Sequence, residues 1–277
     1  MIDYTFLCCY KKPHGGSSYL HTEGTRSYRL TRRLEPILKQ LKRTYSDVFP
    51  KAPELRLGVI VEPRNGASGY WTVAESLTVG PIFVIEIDPA LDGKEEILAH
   101  ELAHPIMKLL GVPSTQSVGE IDSRIGDELS STSQHPFVFD LLDQTGYGDE
   151  QRKFYECRAD AELDKLKHAD FSSPTYTGQP GQTWLALWYF NFYILAQERY
   201  DAIYSTHKQH ASGIADKMDL VRLSWMAATK GKGVMKRRAQ ATCIRSFQSN
   251  LMSRLDLHSR VGRQSMQEWT AWLFNSG

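Results

Sequence analysis

The sequence predicts a mixed α+β protein in which a small sheet precedes a histidine-bearing helix and the rest of the chain is mainly helical. Three observations carry this expectation. Two runs rich in Val and Ile, LRLGVIVEP (55–63) and PIFVIEIDP (81–89), are bounded by Pro, Gly and Asn, as short strands are. Just after them, Asp92-Gly93-Lys94-Glu95 has the form of a capping box and opens a helix. From residue 149 onward the chain reads as helix for most of its length. At 277 residues it is long enough to bury a sizeable core, as one large domain or as a domain with a helical extension. It divides into an N-terminal irregular segment and amphipathic helix (1–50), a core (51–170) and a helical C-terminal region packed on that core (171–277).

In order along the chain, the first 25 residues look irregular, with Pro13, Gly15 and Gly16. Leu30, Leu34, Ile37, Leu38 and Leu41 then recur at helical spacing among many Arg and Lys, giving an amphipathic helix over 27–46. Its basic outer face is expected to be solvated rather than bound to nucleic acid. Gly66, Gly69 and Tyr70 mark a turn-prone segment between the strand-like runs. The second run begins and ends with proline, which suits a sheet edge, where a missing donor is tolerated. The capped helix continues to about Leu110, and Gly111 with Pro113 supplies its stop. Pro105 lies inside it, removes the N–H bond to the Glu101 carbonyl and disfavours helical geometry at His104, so a kink is expected there. Beyond Thr115 come a Ser-, Gly- and Asp-rich connection, then HPFVFDLLDQ (135–144), then a second strong helix over 149–167. The remainder is mostly helical, broken near Gly231 and Gly233. The segment WLALWYFNFYILA (184–196) is interrupted by Asn191 and too short to span a bilayer. It reads as a core helix.

Composition excludes several classes. The formal net charge of +1 predicts no particular polyanionic partner. No membrane span is expected, and the N-terminus lacks the basic start and long apolar run of a secretory signal. Cys8, Cys9, Cys157 and Cys243 show no CxxC and no paired spacing, so a reducing cytoplasm is expected rather than a disulfide framework. Residues 230–263 carry nine Lys or Arg against one acid, Asp256, which keeps contact with nucleic acid or an acidic partner open as an alternative.

The chemistry concentrates in EEILAHELAH (95–104). On a helix, positions i and i+4 share a face with Cβ atoms about 5–6 Å apart, so His100 and His104 can reach one metal ion with bonds of about 2.0–2.1 Å. Glu101 is rotated by about 100° from His100 and points beside such an ion, where it can hold and deprotonate a water molecule. A catalytic zinc has three protein ligands and an open position. YECRADAEL (155–163) offers the third: Glu156 as a carboxylate ligand, with Asp160 four residues on, accepting the spare N–H of a ligating histidine. Glu120, Glu128, Glu162, Asp164 and His168 are alternatives without such a partner. His135 and Tyr155 are the nearest donors for a developing oxyanion. His207 and His210 are read as an exposed helix face.

HELAH followed some fifty residues later by ECRAD resembles the HExxH…ExxAD signature of gluzincin-type zinc metallopeptidases, over roughly residues 81–165. No subgroup is assigned. The resemblance implies His100, His104 and Glu156 as metal ligands, Glu101 as general base and Asp160 as the supporting acid. It implies a zincin-like core: a small twisted sheet, the HExxH helix and a downstream ligand helix, with the mainly helical part appended. It also implies that strand 82–88 is an edge that pairs with a peptide or protein substrate. The expected function is a zinc-dependent cytoplasmic metallopeptidase. The alternatives are a metal-dependent amidase and a binding or regulatory protein that uses the basic C-terminal segment.

Overall fold

The computed structural model describes residues 31–51, 55–61, 70–73, 82–87, 94–112, 114–117, 123–230, 237–257 and 261–264. Cys8, Cys9, Asp92, Pro113 and Glu120 lie outside them, as do Gly66, Gly69 and the helix break at Gly231 and Gly233. The part of the chain with described side chains is 83% helical. This overturns the expected α+β zincin-like core with its twisted sheet. The chain divides into two compact units.

The first unit is built on two helices and three short strands. A 3-10 turn, Arg32–Leu34, leads into α1 (Glu35–Val48), with Pro36 in the first turn, where no intrahelical N–H is required. Ile37, Leu38, Leu41 and Tyr45 are its buried positions, at the spacing the sequence predicts. Strands β1 (Arg56–Val61), β2 (Tyr70–Val73) and β3 (Ile82–Ile87) take the order β1-β3-β2. β3 is therefore the middle strand and not the expected edge: it runs parallel to β1 with Arg56 opposite Ile82, and antiparallel to β2 with Tyr70 opposite Glu86. Pro81 and Pro89 lie outside the described residues.

Helix α2 (Glu95–Leu109) packs against α1, β2 and β3. Every residue from Ile97 to Met107 is buried, the pattern of a helix covered on all sides. α2 continues through Pro105, which lies inside it. Its N-terminus is pinned by side chains from two other segments. Tyr147 Oη donates to Glu95 Oε2 at 3.3 Å. The Arg33 guanidinium lies 4.1 Å from the centroid of the Tyr147 ring and donates to the Gly146 carbonyl. Gly146 adopts φ 86°, a conformation open to glycine in the turn that presents Tyr147.

The second unit holds α3 (Ser123–Gln144), α4 (Gly148–Leu166), α5 (Pro174–Thr177), α6 (Gln179–Leu195), α7 (Gln197–His210), α8 (Ser212–Thr229) and α9 (Arg237–Arg254). A two-stranded ribbon pairs β4 (Ser114–Ser117) with β5 (Val261–Gln264). α6 packs against α4, α5, α7 and α8, as expected of its aromatic sequence. Phe190, Trp225 and Phe247 form its contact with α8 and α9. The largest departure from the sequence reading is α3, since the Ser- and Asp-rich stretch expected to be a connection is its first half. Serine and threonine disfavour helix by competing for backbone partners, but here that competition is absorbed. Ser133 Oγ donates to the Ser130 carbonyl, Thr132 Oγ1 donates to the Leu187 carbonyl, and Gln248 on α9 donates to Ser133 Oγ. Burial of Ile125 and Leu129 supplies the driving force that propensity lacks.

α4, α6 and α7 share a buried polar chain. Tyr189 Oη donates to Glu162 Oε1 at 2.8 Å and lies 3.2 Å from His207 Nε2. His207 is fully buried, contrary to the exposed face expected for it, while His210 is exposed and stacks on Phe171. Among the described residues no helix is long and apolar enough to cross a membrane.

Burial pushes the His207 imidazole down to about 4 and the Glu128 carboxyl on α3 up to about 7. The two act on stability in opposite senses. His207 favours its neutral form in the fold, so the unfolded chain binds more protons between pH 6.5 and 4, and stability falls as pH falls through that window. Glu128 favours its protonated form, so its contribution is present below its unfolded value near 4.5 and lost as pH rises through 7. Comparison of wild type with His207→Leu isolates the first effect. The stability difference between them, measured by urea unfolding, should shift by about 3 kcal/mol against the wild type between pH 7 and pH 4. A difference independent of pH would contradict the neutral, buried His207.

Candidate metal centre

Helical periodicity builds the site. The Nε2 atoms of His100 and His104 lie 3.2 Å apart, with ring centroids at 5.0 Å and planes crossed at 67°. That separation fits an N–H···N bond between two imidazoles. It also matches the edge of a ligand tetrahedron with metal–nitrogen bonds of about 2.0–2.1 Å, which is about 3.3 Å. His100, Glu101 and His104 are exposed by only 7%, 8% and 4%.

His135, on α3 of the second unit, is a further buried histidine. Its Nδ1 lies 2.6 Å from Asn191 Oδ1 on α6, and its Nε2 lies 2.9 Å from Ser131 Oγ, one turn earlier on α3. Phe139 stacks on its ring at 5.1 Å, and Tyr155 from α4 meets it edge-on at 6.4 Å. Packing and hydrogen bonds thus fix both the position and the rotation of the ring.

The other sequence-predicted residues are placed elsewhere. Glu156 and Asp160 do share a face of α4, but that face meets Arg199 on α7, at 3.7 Å from Glu156 Oε1 and 3.2 Å from Asp160 Oδ1. Both carboxylates are partly exposed. Tyr155 is buried among Phe139, Phe154 and Phe192 and adjoins His135 through its ring. Of the alternative ligands, Glu128 accepts from Thr132, Glu162 accepts from Tyr189, and Asp164 pairs with Lys167. His168 follows the C-terminus of α4 and is exposed. Sequence reasoning singled out His135 as an oxyanion donor and passed over Asn191. The available signals were one amide in an otherwise apolar and aromatic run, and a histidine one turn after Ser131.

Compared with known proteins, the chain matches no family model, no curated protein and no solved structure.

The histidine pair of α2 gives a direct test. Protein reconstituted with zinc and desalted should carry about one equivalent by elemental mass spectrometry, and His100→Ala should lose it. Full retention of zinc by His100→Ala would remove the pair from metal binding.

Proposed function

We propose that the protein is a zinc-dependent hydrolase that cleaves amide bonds, with peptides as the substrate class. The carrying observation is the buried HELAH turn of α2, where two imidazole nitrogens stand 3.2 Å apart with Glu101 in the same turn. His100 and His104 would hold the ion, leaving positions for a further ligand and for water. Imidazole donors suit several first-row metals. Zinc is favoured because hydrolysis needs a Lewis acid without redox chemistry.

When bound, zinc polarises the substrate carbonyl and lowers the pKa of water to about 7. The remaining work falls to the protein. His100 and His104 would stay neutral, each offering a lone pair. Glu101 accepts the water's proton and delivers it to the departing amine, so that a poor leaving group leaves as a neutral molecule. Burial strengthens both effects by excluding competing solvent.

Of the gluzincin resemblance, this proposal retains His100, Glu101 and His104. Peptide hydrolysis is favoured over cleavage of other amides by the HExxH arrangement alone, and the same chemistry serves both. A cytoplasmic setting is part of the proposal and rests on the sequence, in which Cys8, Cys9, Cys157 and Cys243 show no CxxC and no paired spacing.

Glu101→Gln separates binding from chemistry. The variant should keep its zinc and lose hydrolysis of a fluorogenic peptide library by about 100-fold or more. Undiminished turnover in a zinc-loaded Glu101→Gln protein would remove Glu101 from the mechanism.

A further inference from the structure

We propose that Ser131, His135 and Asn191 form an acyl-transfer site: Ser131 is the nucleophile toward a carboxylic ester, His135 its general base, and Asn191 the residue that positions the base. All three lie in the second unit, and the proposal is independent of the metal reading above.

The contacts form one continuous chain. Asn191 Oδ1 lies 2.6 Å from His135 Nδ1, and His135 Nε2 lies 2.9 Å from Ser131 Oγ. An amide oxygen only accepts, so Nδ1 is the donor and carries the single N–H of the neutral imidazole. Nε2 then holds the lone pair, and the serine hydroxyl donates to it. This is the tautomer that a base for a hydroxyl nucleophile requires, with an amide oxygen in the orienting place. Burial fits the roles. His135 and Asn191 are exposed by 5% and 2%, whereas Ser131 is half-buried and is the member nearest to solvent.

The direction of the hydroxyl is a second observation. On α7 and α8, Ser205, Thr206, Ser224 and Thr229 each donate to the carbonyl one turn earlier, the usual local partner of a helical hydroxyl. Ser131 instead meets the imidazole one turn later. Phe139 stacks on that ring and Tyr155 meets it edge-on, so the base is held against the serine by packing as well as by Asn191.

In the first step Oγ attacks the acyl carbon while its proton passes to Nε2. The Oγ–C bond forms, the bond from carbon to the ester oxygen breaks, and the proton on Nε2 leaves with the alcohol. Water then attacks the acyl-serine and gives a proton to Nε2, which returns it to Oγ as the carboxylic acid departs. The Asn191 oxygen steadies the imidazolium formed in between. Esters are the substrate class because an alkoxide is a better leaving group than an amide nitrogen, so one serine and one imidazole suffice.

The test uses the full chain stripped of metal by a chelator. It is treated with a fluorophosphonate, the adduct is located by peptide mass spectrometry, and turnover of para-nitrophenyl butyrate is followed alongside. Wild type should carry its adduct on Ser131. Ser131→Ala should lose both adduct and turnover, and His135→Gln should slow labelling by about 100-fold or more. Asn191→Leu should slow it by about 10-fold or more. Asn191→Asp, which keeps an acceptor oxygen for Nδ1–H, should label within about threefold of wild type. That rescue separates positioning from a general loss of packing. The proposal is overturned if wild type carries no adduct on Ser131, if His135→Gln labels as fast as wild type, or if Asn191→Asp falls as far as Asn191→Leu. Ester turnover by Ser131→Ala equal to that of wild type would overturn it too. Metal is absent throughout, so failure here leaves the zinc reading standing, and a wild type that binds no zinc leaves the acyl-transfer site standing.

Discussion

The 3.2 Å approach of two imidazoles across one turn of α2 is the constraint on which the site depends. It requires a continuous helix at His104, and Pro105 threatens that continuity by removing a backbone bond and crowding the preceding turn. A proline in a helix interior costs about 3 kcal/mol. Beyond it, Ile106, Met107 and Leu109 are at most 2% exposed, and burying such side chains contributes about 1.5–3 kcal/mol each. Packing therefore outweighs the proline and holds the last turn in register. At the other end, the contacts from Glu95 to Tyr147 and from Arg33 to Gly146 fix the N-terminus. The helix is held at both ends, and the histidines lie between the two anchors.

Among its described residues the second unit buries two histidines and treats them differently. His135 has a partner near each ring nitrogen, Asn191 at Nδ1 and Ser131 at Nε2, so its tautomer and rotation are both specified. His207 lies within bonding distance of Tyr189 at Nε2, its Nδ1 has no partner among the described residues, and burial holds it neutral. A ring with an unpartnered nitrogen in dry surroundings is destabilised by protonation. The difference between the two rings lies in their hydrogen-bond partners.

Much of this was legible in the sequence, for physical reasons that can be named. The α1 stripe of Ile37, Leu38 and Leu41 and the extent of α4 followed from periodicity, and the i, i+4 pairing of His100 and His104 followed from helical geometry. What failed required tertiary information. The first half of α3 was read as a connection because serine and aspartate have poor helix propensity, and the bonds that rescue it come from α6 and α9. The strand PIFVIEIDP was read as an edge because it is bracketed by proline, yet β3 is the middle strand of its sheet. The α+β zincin-like core was inferred from a short motif match, and a local pattern carries no record of how much of the remaining chain is helix. Glu156 and Asp160 do share a face, but only the fold shows that Arg199 occupies it. Asn191 was noticed as an interruption in an apolar run, and nothing in sequence could show that its partner is a histidine 56 residues earlier.

The central claim is that the two imidazoles of the HELAH turn bind one ion. X-ray absorption spectroscopy of the zinc-reconstituted protein tests it most directly, because it reads ligand identity and number without dependence on a substrate. The account predicts a first shell of light atoms at about 2.0–2.1 Å, with the outer-shell scattering of at least two imidazoles. A six-oxygen shell like that of the hydrated ion, or scattering from a single imidazole, would contradict it.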